Sequence, residues 1–137
     1  MQQNITQYAY GASAIVQDGD RFLLIKRKNP PAQNMYAFPG GRMDEGEELA
    51  QTALRELEEE TGLLGKNPKL YAEYIAGSSE KQFKLHVFKV DVDNTFGAKA
   101  NDDALDLGWF TINEALKLSL PDNMLDCFSQ LEKEQAS

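Results

Sequence analysis

The chain has 137 residues, 42% of them apolar and 26% charged, with a net charge of −8. This composition suits a single globular domain over residues 1–137 with one hydrophobic core, and excludes a disordered chain. No apolar run approaches the ~20 residues of a membrane span, and an acidic balance is the wrong sign for gripping a nucleic-acid polymer.

The opening residues, "MQQNITQYAY", lack the basic start and apolar stretch of a secretory signal. Cys127 is the lone cysteine, so no internal disulfide can form, and the expected setting is the cytoplasm. Residues 11–17, "GASAIVQ", and 21–27, "RFLLIKR", read as the strands of a hairpin turning at "DGD", 18–20. The loop "KNPPAQNMYAFPGG", punctuated by Pro and Gly, leads to an acidic segment with a predicted helix at 48–60 and a glycine stop at Gly62. Strands are expected at 69–76 and 82–92, then a long polar loop at 93–104 of the kind that is often functional. A short strand at 105–110 and a short helix at 112–118 follow. A last amphipathic helix begins near Pro121, with Met124, Leu125, Phe128 and Leu131 at helical spacing. Cys127 reads there as a small buried hydrophobe. The expected class is α+β, a mostly β core flanked by helices.

The acidity is local. Residues 41–63, "GRMDEGEELAQTALRELEEETGL", hold eight acids against Arg42 and Arg55, whereas the other residues hold 14 acids and 12 bases. On the predicted helix Ala50, Ala53, Leu54 and Leu57 form the apolar stripe, while Glu56, Glu59 and Glu60 recur at i, i+3 and i+4 on another face. Carboxylates one turn apart repel unless a cation sits among them, and hard divalent ions such as Mg²⁺ take oxygen ligands. The competing reading is a solvated glutamate-rich face. Against it stands "YAFPGG", a glycine turn directly before the acids where backbone can approach a ligand closely.

This segment resembles the Nudix box, G-x5-E-x7-R-E-U-x-E-E-x-G-U with U aliphatic. Gly41, Glu47, Arg55, Glu56, Leu57, Glu59, Glu60, Gly62 and Leu63 fill every specified position. The preceding "AFPGG", the hairpin before it and "GWF" before the final helices extend the likeness over most of the chain. The resemblance implies the Nudix fold, an α/β/α sandwich around a mixed sheet, and hydrolysis of a nucleoside diphosphate linked to another group with Mg²⁺ or Mn²⁺. It implies Glu56, Glu59, Glu60 and the Gly40 carbonyl as metal ligands, with Glu47 supporting them directly or through water. Arg55 would hold these carboxylates by charge-assisted bonds. Glu56 is the first choice for general base, and an acid among Asp102, Asp103 and Asp106 the second. Arg27, at the end of a strand facing the glycine loop, is read either as a phosphate grip or as a plain surface arginine, and Gly41 as lying beside the substrate. His86 reads as structural, and Tyr8, Tyr10, Tyr36 and Phe96 as either core or base-stacking residues.

The stretch "KNPPAQNMYAFPGGRMDEGE" resembles small bacterial ADP-ribose pyrophosphatase-like members of the family. Ser78 and Ser79 stand where some ADP-ribose-specific members carry a proline. The first likeness implies ADP-ribose or a related dinucleotide as substrate, and the serines speak against an ADP-ribose-specific member, with nucleoside triphosphates as the alternative. A nucleotide-sensing module without catalysis is the other class, but such modules usually lose box carboxylates, and none is lost here. The expected partner is a small nucleotide, with no polymer and no membrane, and a homodimer stays open.

Overall fold

The computed structural model describes residues 7–30, 32–77 and 81–135. Ser78 and Ser79 and the side chain of Tyr8 lie outside the described set.

The run "FLLI" is apolar without alternation, which in a strand means that both faces are covered. Phe22, Leu23, Leu24 and Ile25 are indeed fully buried. They belong to β3 (Arg21–Arg27), which follows β1 (Gln7–Ile15) and the two-residue β2 (Gln17–Asp18). Next come β4 (Tyr36–Ala37), β5 (Gly40–Arg42) and the helix α1 (Leu49–Thr61). The chain continues through β6 (Gly65–Gly77), β7 (Lys81–Val92), β8 (Ala104–Phe110), α2 (Ile112–Ala115) and α3 (Asp122–Gln135).

One sheet runs β5-β1-β7-β6, with β1 parallel to β7 and the other pairs antiparallel. In the other, β3 pairs with β2, β4 and β8, all antiparallel. Phe22 pairs with both Gln17 and Phe110, and Ile25 with both Ala37 and Leu107. A strand residue has one neighbour on each side, so β2 and β4 share one edge of β3 and β8 takes the other. Alternate side chains of β1 and β3 then serve two cores. Ile15, Phe22, Leu24 and Val87 pack with Met124, Cys127, Phe128 and Leu131 of α3. Ala12, Ala14, Val16 and Leu23 pack with Ala53 and Leu57 of α1. This is the expected α/β/α sandwich, with helices on both faces of the β layer.

Several boundaries moved for physical reasons. The first hairpin arm is two strands, because the chain crosses between sheets at Val16, whose carbonyl accepts the Leu23 N–H at 3.0 Å. β6 begins at Gly65 rather than 69, because breaks in register between Lys66 and Lys69 and between Leu70 and Ala72 spoil the alternation a sequence reader looks for. Leu70 and Ile75 consequently face solvent. On α3 the buried stripe is Met124, Cys127, Phe128 and Leu131, while Leu125 is exposed. The spacing i, i+3, i+4, i+7 selects Cys127, so its reading as a buried hydrophobe holds and Leu125 leaves the set. α2 is one turn shorter than expected, and its Thr111 cap accepts the Glu114 N–H at 3.2 Å. Among the described residues no helix is long and apolar enough to cross a membrane.

Candidate active site

The site is positioned by two short strands that no hydrophobic pattern announces. Pro39 directs its carbonyl to the Ala14 N–H at 2.8 Å, and β5 lies against β1 with Gly40 opposite Ser13 and Gly41 opposite Ala12. A Cβ on Gly40 would fall 2.5 Å from the Ala12 carbonyl oxygen, and one on Gly41 would fall 2.6 Å from the carboxyl carbon of Glu56. Both glycines are therefore needed for close approach. α1 covers this strand through its apolar stripe, with Ala53 and Leu57 buried and Ala50 and Leu54 packed beside them, as the spacing predicts. The helix stops at Gly62 in the left-handed conformation, φ 77°, its N–H bonded to Glu58 O at 2.8 Å.

Arg55 organises the acids. Its Nε donates to Glu47 Oε2 at 2.7 Å and its Nη2 to Glu47 Oε1 at 3.0 Å, a two-point fork. Its Nη1 donates to Glu56 Oε1 at 2.8 Å and reaches Glu59 Oε2 at 3.2 Å. Nη2 also donates to the Arg42 carbonyl at 2.9 Å, tying α1 to β5. Asp44 adds an ion pair at 3.4 Å. Glu47 also accepts from the Thr52 hydroxyl at 2.7 Å and the Asp44 N–H at 3.1 Å, so both its oxygens are engaged. The Arg55 guanidinium holds the Glu47 carboxyl down at about 2.

Glu60 has the opposite environment. It is 2% exposed, and its Oε1 accepts the Gly40 N–H at 2.8 Å. Burial, and then the charge of Glu56, push its carboxyl up to about 8, although the Gly40 bond and Arg27 oppose this. Glu56 is also raised, first by burial, with Arg55 pulling the other way. Glu59 is the outermost of the three, its side chain 42% exposed.

The 93–104 loop closes over the end of α1. Lys99 N–H donates to Thr61 O at 3.0 Å and Asn101 N–H to Glu60 O at 2.9 Å, satisfying terminal helix carbonyls. Asp103 O accepts the Lys28 N–H at 3.0 Å, beside the end of β3. Asp106 lies in β8, opposite Lys26 of β3, and of the three acids Asp103 is the one whose charge acts on both Glu56 and Glu60. Asp102 takes a left-handed φ of 55°, and Asp106 accepts the Tyr36 hydroxyl at 3.3 Å. Arg27 lies near enough to Glu60 to favour its charged form.

The other candidates stand apart. His86 pairs with Glu73 at 2.8 Å and lies 6.4 Å from the Tyr10 ring, Tyr36 packs edge-on to Phe110, and Phe96 is exposed. Asp44, the Arg42 carbonyl and Thr52 are site members the sequence reading missed. Of these only Asp44 carried a signal, its place among the crowded acids.

Among the described residues no three acidic, histidine or cysteine side chains are gathered tightly enough to enclose a metal ion by themselves. The cause is visible in the contacts: Arg55 lies among Glu47, Glu56 and Glu59, while Glu60 turns to Gly40. The donor chemistry nonetheless fits a hard divalent cation. Burial raises both Glu60 and the half-buried Glu56, the charge of Glu56 raises Glu60 further, and a cation would offset that cost.

A three-layer fold with a glycine turn, an acidic helix and a guanidinium clamp is that of the Nudix class. A family model described as the NUDIX domain matches residues 7–131, and the chain belongs to that family. It is 35% identical over 114 residues to an ADP-ribose pyrophosphatase of Methanocaldococcus jannaschii, covering 81% of this chain and 66% of that protein. It is 32% identical over 115 residues to an ADP-ribose pyrophosphatase of Bacillus subtilis, covering 79% of this chain and 62% of that protein. The chain thus spans slightly less than two thirds of the length of these relatives. The crystal structure of a MutT NUDIX hydrolase from Burkholderia pseudomallei matches with a TM-score of 0.81 at 24% identity, over 90% of this chain and 98% of that one.

Proposed function

We propose that this chain is a divalent-metal-dependent pyrophosphohydrolase that cleaves the diphosphate link of a nucleoside diphosphate derivative, with ADP-ribose or a related dinucleotide as substrate and Mg²⁺ or Mn²⁺ as the metal. The observation that carries this reading is the buried Glu60 and half-buried Glu56, set against Gly40 and Gly41, with Arg55 bracing Glu56. The names of the two relatives, ADP-ribose pyrophosphatase, support the substrate.

Glu56, Glu59, Glu60 and the Gly40 carbonyl would hold the metal, with Asp103 approaching from the loop. When bound, such a cation neutralises diphosphate oxygens and acidifies water. Glu56 accepts the proton of the attacking water, whose oxygen bonds to phosphorus as the P–O–P bridge breaks and two phosphate esters leave. Arg55 keeps Glu56 aimed at this position, and its contacts to Glu47 keep Arg55 from swinging away. Arg27, at the end of β3 on the Glu60 side, grips a substrate phosphate. The acidic surface suits a small metal-chelated nucleotide better than a nucleic-acid polymer.

The test is a panel of ADP-ribose, dinucleoside polyphosphates and nucleoside triphosphates, with Mg²⁺ or Mn²⁺ and with excess chelator. Two phosphate esters released from ADP-ribose, and none in chelator, is the expected result. Preference for triphosphates would move the substrate to that class. Nucleotide binding without any cleavage would make the chain a sensing module and overturn the reading.

A further inference from the structure

Thr52 is a polar side chain with no solvent exposure. A buried threonine on a helix ordinarily turns its hydroxyl to the carbonyl four residues back. That acceptor is present, Glu48 O at 3.1 Å, but the hydroxyl is closer to Glu47 Oε1, at 2.7 Å. A hydroxyl has one proton, and the shorter contact to a charged oxygen takes it.

The carboxylate so held forms the two-point fork with Arg55, whose remaining terminal nitrogen contacts Glu56 Oε1 at 2.8 Å. Thr52 comes from the buried side of α1, Glu47 from the turn before the helix. Their bond therefore fixes the turn against the helix and sets the plane in which Arg55 can lie. We infer that Thr52 is a positioning residue: it acts through Glu47 and Arg55 to hold Glu56 for proton transfer. The Asp44 N–H donates to Glu47 at 3.1 Å and the Asp44 carboxylate pairs with Arg55 at 3.4 Å, but both from an exposed turn. Thr52 reaches Glu47 from a side chain with no solvent exposure.

The catalytic part rests on the hydrolase reading above, so the experiment has two arms. Thr52→Val keeps size and branching but removes the hydroxyl, and Thr52→Ser keeps the hydroxyl but removes the methyl. With the best panel substrate, Thr52→Val should lower kcat about tenfold, the scale of one hydrogen bond to a charged group. KM should change less than about twofold, since substrate binding does not use Thr52, and Thr52→Ser should restore kcat. In a Glu47→Gln background Thr52→Val should lower kcat by less than about twofold more. The second arm uses chelator-treated protein, where urea unfolding of the four proteins should show a double variant less destabilised than the two singles combined. Wild-type kcat in Thr52→Val, failure of Thr52→Ser to rescue, or additive effects in either arm would overturn the inference. If the wild-type protein cleaves nothing on the panel, the hydrolase reading fails together with the catalytic role, and the unfolding arm decides whether Thr52 holds Glu47.

Discussion

Replacing Glu60 by glutamine removes the carboxyl whose ionisation the fold penalises most while leaving its shape. In the metal-free protein the Glu60 carboxyl sits at about 8, against 4.5 for the free side chain. A carboxyl raised on folding stabilises the fold fully below the unfolded value, and that stability is lost as pH rises toward the folded value. Between pH 4.5 and 7 the native protein keeps its proton and the unfolded chain loses its own, so stability falls by 1.36 kcal/mol per pH unit, about 3 kcal/mol in all. Glutamine has no proton to lose in this range, and its Oε1 can still accept the Gly40 N–H that Glu60 accepts at 2.8 Å. Glu47, held near 2, titrates below this window and is common to both proteins. Urea unfolding in excess chelator at several pH values should therefore show Glu60→Gln gaining on wild type by about 3 kcal/mol from pH 4.5 to 7, while its metal-dependent turnover is lost. Saturating Mg²⁺ or Mn²⁺ should flatten the wild-type slope. Parallel pH profiles for the two proteins would refute the claim that burial raises the Glu60 carboxyl.

Turnover should require a divalent cation, and Glu59→Gln should impair it severely with unfolding unchanged, because that side chain is 42% exposed and outside the core; activity in excess EDTA would remove the metal from the reading. Mg²⁺ or Mn²⁺ at a hundredfold excess over Kd should stabilise the fold by about 3 kcal/mol, roughly 8–14 °C in Tm at this chain length, where NaCl of matched ionic strength does much less. Glu56→Gln should cost kcat on the order of 10²–10⁴-fold with KM little changed. If Asp103→Asn instead abolishes kcat and Glu56→Gln does not, the base lies in the loop.

The acidic helix was legible because several constraints agree on it. The apolar stripe, the glycine stop and the spacing of Glu56, Glu59 and Glu60 all give the same helix to within a residue at either end. The last helix was legible for the same reason, since burial imposes periodicity, whereas of the expected hairpin only the β3 arm and the pairing of Gln17 and Asp18 stand, because the rest of the first arm joins the other sheet. β4 and β5 were not legible, because strands of two and three residues containing Gly have no period to read. Their existence depends on pairing with β1 and β3, which lie far away in sequence. Choosing among Asp102, Asp103 and Asp106 also required coordinates. Three acids within five positions look alike, and a left-handed turn at Asp102 and a tyrosine facing Asp106 separate them. Thr52 was invisible because nothing in a pattern says whether a helical hydroxyl turns to its own backbone or to a neighbour.

Glu47 and Glu60 show how one short segment divides its labour. Both are box glutamates, yet the fold sends one to about 2 and the other to about 8. The difference does not come from depth alone, since the Glu47 side chain is only 14% exposed. It comes from burial, the largest cause at Glu60, and from donors: Glu47 receives two N–H groups of a guanidinium, a hydroxyl and a backbone N–H, whereas Glu60 receives one neutral N–H and faces the charge of Glu56. A carboxylate with its oxygens fully engaged has little left to offer a metal, so its value is to anchor Arg55. A buried carboxylate short of donors is costly unless something cationic arrives. The crowding of acids is therefore two arrangements: an internally neutralised brace of Glu47 and Arg55, which also holds Glu56 through Arg55 Nη1, and beside it a buried Glu60 short of donors, where the proposed cation would offset the cost.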